Sequence, residues 1–324
     1  AEFIDASGRI IAPGSIEMHT HGLMGHEFLN INQETLKKIL KSYPQFGVTS
    51  VSPTIVTAPI DDIKTTLKTL NETFRTLSID GASLHPSYLE LRYFGPDKRG
   101  AHCLEELVNS AENYKKKYHL DNDNRKLRDI VLDELEDFAK CSNRFYKIVA
   151  IDPSIEGALE VIKTLTGYGI TVAIGHSNAT ESQTQAAIDS GAMDLVHAGN
   201  CSGDEKNSQG RHRLDRGDVR NVIWPFLNSR RTYIEIVGDL VHINGSHDKM
   251  YIFDKGVDRV VLITDACAAA GTNDSQCSLG GKLVYIEEDA AYYRDDKGRR
   301  TLCGSILTMD QAVRNARDLG FGYN

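Results

Sequence analysis

SIEMHTH, residues 15–21, opens a series of eight short runs that together set the fold. Each run is apolar and rich in β-branched side chains, as buried parallel strands are. The other seven runs are VTSVSPTI (48–55), SYLELRYF (87–94), FYKIVAID (145–152), ITVAIGHS (170–177), MDLVHAG (193–199), YIEIVGD (233–239) and RVVLITDA (259–266). Stretches with helical spacing, such as QETLKKILKSY and SIEGALEVIKTLTGYG, lie between most of them. This alternation predicts an α/β fold, a (β/α)8 TIM-type barrel.

The chain length fits one barrel with small additions. A barrel of this type needs about 250 residues, and the chain has 324. The parts that we expect are a remnant of a small β domain at 1–14, the barrel at 15–278, a β-hairpin at 279–302 and a C-terminal helix packed on the barrel at 303–324. We also expect a partial chain, with material missing at both ends. The charged segment 103–144 is longer than a simple crossover and is interpreted as a solvated helix pair or an insertion.

Composition and charge restrict the classes of partner. The formal net charge is −8, whereas binding to a nucleic-acid backbone requires basic patches. The sequence has no apolar run of the roughly 20 residues that a membrane-spanning helix needs. The six cysteines are scattered without a CxxC pair, which argues against a disulfide framework or a thiolate zinc site. We therefore predict a cytoplasmic protein with reduced thiols that binds neither nucleic acid nor membrane.

Polar residues stand at the C-terminal ends of the predicted strands, where barrel enzymes build their active sites. The first strand ends in His19-Thr20-His21, and residues two apart on a strand share a face, so both imidazoles can share an ion. The candidates on later strands are Glu90, His176, His197, Asp239, His242 and Asp265. A lone histidine on an apolar strand is more often a core residue, and an aspartate can cap a helix. Gathered at one rim, these groups predict a divalent metal site, with zinc first and iron or another ion as alternatives.

Several segments resemble a known family. APGSIEMHTHGLMG resembles the opening signature of the amidohydrolase superfamily. Further segments resemble motifs of the N-acetylglucosamine-6-phosphate deacetylases, in the correct order along nearly the whole chain. These segments are GVTSVSPTIVT, YLELRYFGPDKRGAH, AIGHSNATESQTQAAIDSGA, VHAGN, GDLVHIN, LITDACAAAG and LCGSILTMDQAVRN. The resemblance implies a metal-dependent barrel enzyme that binds one or two divalent ions and forms a homodimer. It also implies a small β-sandwich domain formed from both chain ends, which we expect to be only partly present in this chain.

The resemblance also implies roles for single residues. The residues that match the family's metal ligands are Glu90, His176 and His197 for the main ion, and His19 and His21 for a second ion that some members hold. Asp265 resembles the catalytic aspartate. The residues that match substrate-contacting positions are His102, Asn200, Arg213 and His242.

Some positions depart from the family's pattern. Leu91 and Arg92 stand where Gly-Pro usually follows the metal-binding glutamate, so we expect a different loop over the metal. Cys201 stands where alanine is usual. The segment HRLDRGD carries extra residues, so that Arg213 and Arg216 compete for the role of binding a phosphate.

The resemblance implies deacetylation of N-acetylglucosamine 6-phosphate to glucosamine 6-phosphate and acetate. Asp265 would act as general base and then general acid, assisted by His242 or His102. One alternative is another amidohydrolase that acts on N-acetylgalactosamine 6-phosphate or on an N-acyl amino acid. Another alternative is a barrel that has lost catalysis. For either enzyme the expected partner is a small N-acylated substrate. For the N-acetylglucosamine-6-phosphate deacetylase it is a phosphorylated amino sugar.

Overall fold

The computed structural model describes residues 5–8, 11–76, 80–90, 92–202, 220–288, 290–294 and 298–322. The strands are, in chain order, β1 (Ser15–Thr20), β2 (Gly22–Leu23), β3 (His26–Glu27), β4 (Val48–Ile55), β5 (Ser83–Leu84), β6 (Ser87–Leu89), β7 (Tyr146–Ile151), β8 (Thr171–Ile174), β9 (Asp194–Leu195), β10 (Tyr233–Val237), β11 (Val260–Ile263), β12 (Gln276–Leu279), β13 (Lys282–Glu287), β14 (Ala290–Arg294) and β15 (Arg300–Ser305). The helices are α1 (Gln33–Ser42), α2 (Ile60–Thr76), α3 (Ala111–Tyr118), α4 (Leu127–Ser142), α5 (Ala158–Gly167), α6 (Glu181–Asp189), α7 (Arg220–Asn228), α8 (Gly245–Lys255) and α9 (Met309–Asp318).

Eight parallel strands form a TIM-type barrel, which confirms the predicted fold class. Their order around the sheet is β1-β4-β6-β7-β8-β9-β10-β11, the order in which they occur in the chain. The last strand returns to the first, because the Asp265 amide donates to the His19 carbonyl at 3.0 Å and the His21 amide donates to the Ala266 carbonyl at 2.8 Å. These bonds lie at the C-terminal rim and join the two chain segments that carry the first and last candidate residues.

Several strands are shorter than the sequence predicts. The runs 87–94, 170–177 and 193–199 form strands only at their beginnings, as β6, β8 and β9. The remaining residues leave the ladder, and two of them, His176 and His197, have left-handed backbone angles with φ of 49° and 27°. Such angles are uncommon for residues other than glycine and cluster at functional sites. The residues that follow these short strands therefore set the direction of side chains and do not extend the sheet.

The helices cover the barrel through their apolar faces. In α1, Asn32 caps the N-terminus by accepting from the Thr35 amide, and Leu36, Ile39 and Leu40 are buried. In α6, Thr180 begins the helix with a capping box. Among the described residues, no helix combines the length and apolar content that crossing a membrane requires.

The charged segment 103–144 contains two helices of different character. The first, α3, buries only Tyr114 and is the solvated addition that the sequence predicts. The second, α4, is not solvated, because it buries an apolar face that includes Ile130, Leu135 and Phe138 and packs on α2. It is the helix that connects β6 to β7, so the insertion is confined to the part before it.

The segment expected to be a β-hairpin at 279–302 belongs to a larger sheet. Four antiparallel strands, β12 to β15, follow one another in chain order. Gly280 and Gly281 make the first turn with φ of 58° and 74°, the angles of the two-residue turn that fits the twist of a hairpin. The single-hairpin expectation missed β12 and β15 because their short polar and cysteine-containing runs lack clear alternation. The division of the chain into domains remains a prediction.

That prediction treats the two chain ends, residues 1–14 and 303–324, as separate parts of the molecule. Of the segment 1–14, expected to be a remnant of a small β domain, residues 1–4 and 9–10 lie outside the described part, and the described residues contain no strand. Near the other end, the Asn315 amide nitrogen of α9 donates to the Gly238 carbonyl at 2.7 Å, and so this helix lies against the end of β10.

Candidate metal-dependent active site

Five of the predicted site residues meet around the carboxylate of Glu90. Its Oε1 lies 3.0 Å from Nε2 of His176 and 3.0 Å from Nε2 of His197. The two imidazole nitrogens are themselves 3.2 Å apart. Ring nitrogens approach so closely when at least one presents its lone pair. The carboxylate oxygen and the two ring nitrogens therefore lie close enough together to act as ligands of one cation.

The histidines of the first strand approach the other oxygen of the same carboxylate. Oε2 of Glu90 lies 3.6 Å from Nε2 of His19 and 3.4 Å from Nε2 of His21. Oδ1 of Asp265 lies 3.0 Å from Nε2 of His21 and 3.6 Å from that of His19. Glu90 thus stands between two sets of histidine nitrogens, one on each oxygen.

This arrangement fits a divalent metal. His19, His21 and Glu90 offer ligand atoms within 4.8 Å of one another, and so do Glu90, His102 and His176. Nε2 of His19 is buried and has no hydrogen-bond partner among the described residues. A buried polar atom without a partner is costly, and coordination of an ion by imidazole and carboxylate donors would satisfy it.

The carboxylates of the cluster are held in the charged form. Burial opposes ionisation of Glu90, but the charge of His19 and hydrogen bonds from the surrounding histidines outweigh it and hold its pKa well below the usual value. Burial likewise opposes ionisation of Asp265, yet hydrogen bonds from His21 and His242 keep the pKa of this group well below normal. Both groups are therefore anionic at neutral pH, as a metal ligand or a general base must be.

A second histidine–carboxylate chain reaches Asp265 from β10. Nε2 of His242 lies 3.1 Å from Oδ2 of Asp265, and Nδ1 of His242 lies 2.6 Å from Oδ2 of Asp239. Burial lowers the pKa of His242, but the charges of Asp239 and Asp265 outweigh it and raise that pKa to about 10. His242 is therefore a proton donor to Asp265, oriented from behind by Asp239.

His102 lies on the opposite wall of the cluster. Its Nδ1 is 2.7 Å from Oγ1 of Thr57, and its Nε2 is 3.7 Å from Oε2 of Glu90. Burial and the neighbouring charge of His176 lower the pKa of His102 well below its ordinary value. The imidazole is therefore neutral, with one nitrogen directed toward the carboxylate.

The sequence did not single out Glu235, which supports this cluster from below. It lies in the middle of β10 and is fully buried, with Oε2 2.7 Å from Nδ1 of His19. Beside it, burial and the charge of Glu235 raise the pKa of Asp194 well above the usual value. The available signal was a charged residue inside the apolar run YIEIV, where a lone carboxylate is costly unless it has a partner.

The cluster forms the floor of an open pocket at the C-terminal rim of the barrel. Asn200 lines this pocket, as do His21, His102, His176, His197 and Asp265. One wall comes from the C-terminal sheet through Leu279, Gly280, Leu302, Cys303 and Gly304, which the sequence did not predict. Arg213 and Arg216 lie outside the described residues, so their predicted role in binding a phosphate remains a prediction.

The side chain of Arg92 does not enter the pocket, and the expectation of a different loop over the metal remains a prediction. Its side chain is fully buried and turns toward α3 and α4. Nη2 donates to the Tyr118 hydroxyl at 2.9 Å, and the guanidinium lies 3.4 Å from Glu106 and 3.8 Å from Glu134. Its neighbour Leu91 lies outside the described residues. Arg92 therefore ties the inserted helix α3 to the barrel.

A parallel barrel that gathers histidines and carboxylates at its C-terminal rim, on the floor of a pocket, defines the class of metal-dependent amidohydrolases. No protein-family model matches the chain. The chain is 31% identical over 315 residues to N-acetylgalactosamine-6-phosphate deacetylase of Escherichia coli O157:H7, covering 97% of this chain and 74% of that protein. It is 29% identical over 305 residues to N-acetylglucosamine-6-phosphate deacetylase of Vibrio furnissii, covering 94% of this chain and 67% of that protein. The chain belongs to the N-acetylglucosamine-6-phosphate deacetylase family of the amidohydrolase superfamily.

Solved structures agree with this assignment. N-acetyl-D-glucosamine-6-phosphate deacetylase of Mycobacterium smegmatis, a variant in complex with N-acetyl-D-glucosamine-6-phosphate, superposes with a TM-score of 0.78 at 26% identity. The match covers 96% of this chain and 72% of that one. The enzyme from Pasteurella multocida superposes with a TM-score of 0.76 at 25% identity, covering 96% and 72%. This chain thus spans about three quarters of the length of these relatives.

Proposed function

We propose that this chain removes the acetyl group from N-acetylglucosamine 6-phosphate, giving glucosamine 6-phosphate and acetate. The observation that carries the proposal is the position of Glu90, whose two oxygens each face a pair of histidine nitrogens beside the carboxylate of Asp265. The relative from Vibrio furnissii and the solved structures bear the name of this activity, whereas the relative from Escherichia coli O157:H7 is named for the galacto epimer. The pocket above the cluster is lined by polar groups that a sugar could contact, among them His102 and Asn200.

We assign the main metal site to Glu90, His176 and His197, and a second site to His19 and His21. Zinc is the first candidate, because it accepts imidazole and carboxylate ligands, and iron is the next. When bound, a divalent ion here supplies a Lewis acid that polarises the acetyl carbonyl and lowers the pKa of a water molecule.

Asp265 is the proposed general base and acid. Its low pKa, maintained by His21 and His242, makes it an anion that can accept a proton from the attacking water. As the bond between the carbonyl carbon and the nitrogen breaks, Asp265 returns that proton to the leaving amine. His242, held by Asp239 at 2.6 Å, keeps the Asp265 carboxylate oriented. Either His242 or His102 can also donate to the developing oxyanion.

The substrate-binding roles rest partly on the resemblance. Asn200 and His102 line the pocket and are the proposed contacts to the sugar. Arg213 is the proposed phosphate ligand, because a guanidinium binds phosphate through paired hydrogen bonds, and Arg216 is the competing candidate. Arg92 is excluded from that role because its guanidinium is occupied by Tyr118 and Glu106.

We propose a homodimer in the cytoplasm. Exposed apolar side chains on α7 and α8, namely Trp224, Met250 and Phe253, support the dimer, because large exposed apolar groups can mark interaction surfaces. The cysteines form no disulfide bond in the part of the chain that the structure describes, which supports a reducing compartment.

A substrate panel tests the proposal. Acetate release is measured from N-acetylglucosamine 6-phosphate, its galacto epimer and an N-acetylated amino acid, with the unphosphorylated sugar as a matched control. We expect the highest kcat/KM on the gluco 6-phosphate and a large loss without the phosphate. Preference for the N-acetylated amino acid, or the absence of hydrolysis in the metal-loaded protein, would contradict the proposal.

A further inference from the structure

Glu235 is a buried carboxylate to which the proposed reaction gives no role. It lies in β10 with 0% of its surface exposed, below the cluster of metal-ligating side chains. One of its oxygens, Oε2, lies 2.7 Å from Nδ1 of His19 and 3.1 Å from the backbone nitrogen of His197. A single atom therefore contacts residues from both of the proposed metal sites.

The contact with His19 sets which ring nitrogen carries the proton. A carboxylate accepts a hydrogen bond, so Nδ1 of His19 is the protonated nitrogen. When the ring is neutral, as a metal ligand must be, its lone pair lies on Nε2, the nitrogen that is 3.6 Å from both Glu90 and Asp265. A carboxylate behind an imidazole ligand fixes both the tautomer and the orientation of the ring.

The contact with His197 holds a strained turn. His197 has φ of 27°, an angle that a non-glycine residue adopts only when its surroundings enforce it. Its amide donates to the Glu235 side chain, and the next amide, of Ala198, donates to the Glu235 backbone carbonyl at 2.8 Å. Glu235 thus holds the backbone on both sides of the His197 Cα atom, from which the His197 ring extends toward Glu90.

We infer that Glu235 is a positioning residue that holds His19 and His197, and with them the two proposed metal sites, in a fixed mutual arrangement. The inference rests on the proposed function only in taking these histidines as metal ligands. The ring of Tyr88 packs at a tilt against that of His19, with 4.8 Å between the ring centroids, and gives that side chain further support.

Metal affinity tests this inference directly. Metal-free wild type, Glu235→Ala and Glu235→Gln are titrated with zinc against a chelator, and the cobalt-loaded proteins are compared by visible absorption. Glu134→Gln is the matched control, because it also neutralises a buried carboxylate. Glu134 lies on α4 and accepts a hydrogen bond from the Tyr93 hydroxyl. We expect Glu235→Ala to lose about 10- to 100-fold in zinc affinity and to alter the cobalt spectrum. Glu235→Gln keeps a weaker acceptor and should show a smaller loss, whereas Glu134→Gln should bind metal like the wild type.

Wild-type affinity and an unchanged spectrum in both Glu235 variants would overturn the inference, as would an equal loss in Glu134→Gln. If Glu235→Ala fails to fold, the near-isosteric Glu235→Gln decides, and wild-type zinc affinity in that variant overturns the inference. Failure of the proposed function would be distinguishable, because it would appear as a wild-type protein that binds zinc but releases no acetate.

Discussion

Oδ2 of Asp265 lies 3.1 Å from Nε2 of His242, so the proposed general base faces a histidine that is itself held by Asp239. On its other side Asp265 lies 3.0 Å from His21, a proposed metal ligand, so only the contacts through His242 and Asp239 lie outside the metal cluster. Orientation of the base and binding of metal can therefore be tested by different substitutions.

Asp265→Asn should retain metal and lose catalysis. The amide keeps the shape of the side chain but cannot accept a proton, and general acid–base catalysis contributes about 10²- to 10⁴-fold. We expect kcat to fall by that amount while zinc content, measured by elemental analysis, stays near that of the wild type. Near-normal turnover would show that another group accepts the proton.

Asp239→Asn should reduce kcat without removing the ion. The substitution weakens the partner that keeps Nδ1 of His242 protonated and its Nε2 aimed at Asp265. We expect a loss of roughly tenfold to a hundredfold, in line with the loss of a supporting carboxylate. A kcat equal to that of the wild type would mean that His242 needs no partner.

The pair His19 and His21 tests the second proposed ion. Replacing both by alanine should lower the metal content to the ion held by Glu90, His176 and His197, and should reduce activity, because Nε2 of His21 also contacts Asp265 at 3.0 Å. Metal content and kcat are measured on the same preparation. If neither changes, the first-strand histidines hold no ion in this protein.

Arg92 should affect stability rather than the reaction. Its buried guanidinium pairs with Glu106 and Glu134, and removing one partner of a buried ion pair costs about 3–5 kcal/mol. We expect Arg92→Ala to unfold at markedly lower denaturant concentration, with KM unchanged in the protein that remains folded. A raised KM without loss of stability would place Arg92 in substrate binding instead.

Asp248 gives a prediction for pH dependence. Burial and the charge of Asp239 raise its pKa to about 8, above the value of about 4 expected in the unfolded chain. The folded state therefore binds the extra proton, so this group lowers stability as pH rises from about 4 to 8. Asp248→Asn should be more stable than the wild type at pH 8, and the difference should shrink toward pH 4. If the variant and the wild type differed in unfolding free energy by the same amount at pH 4 and at pH 8, this assignment would be contradicted.

The sequence was sufficient to predict the barrel and the gathering of the site residues. The eight runs alternate with helical stretches, and parallel strands place their C-terminal ends at one rim, so that His19, His176 and Asp265 could be expected to converge. Strand lengths were overestimated, because residues such as His176 adopt left-handed angles that aim a side chain and interrupt the ladder. Whether a polar residue ends a strand or extends it depends on tertiary contacts that local patterns do not contain.

Other parts of the site could not be predicted from local patterns. Glu235 resembles an isolated charge in an apolar strand until His19, 216 positions away in sequence, is placed beside it. The wall formed by Gly280 and Gly304 depends on how the C-terminal sheet docks on the barrel, which has no local signature. Arg92 could be recognised as a departure from the family, but only the positions of Tyr118 and Glu106 show where it points.

The central claim is that this cluster holds a divalent ion on which deacetylation depends. The most direct measurement is to strip the protein with a chelator, return zinc in measured amounts and record acetate release from N-acetylglucosamine 6-phosphate together with bound zinc. The account predicts that activity is lost on stripping and returns in proportion to the zinc bound. Full activity in protein shown to be free of metal, or no activity in protein shown to hold zinc, would contradict it.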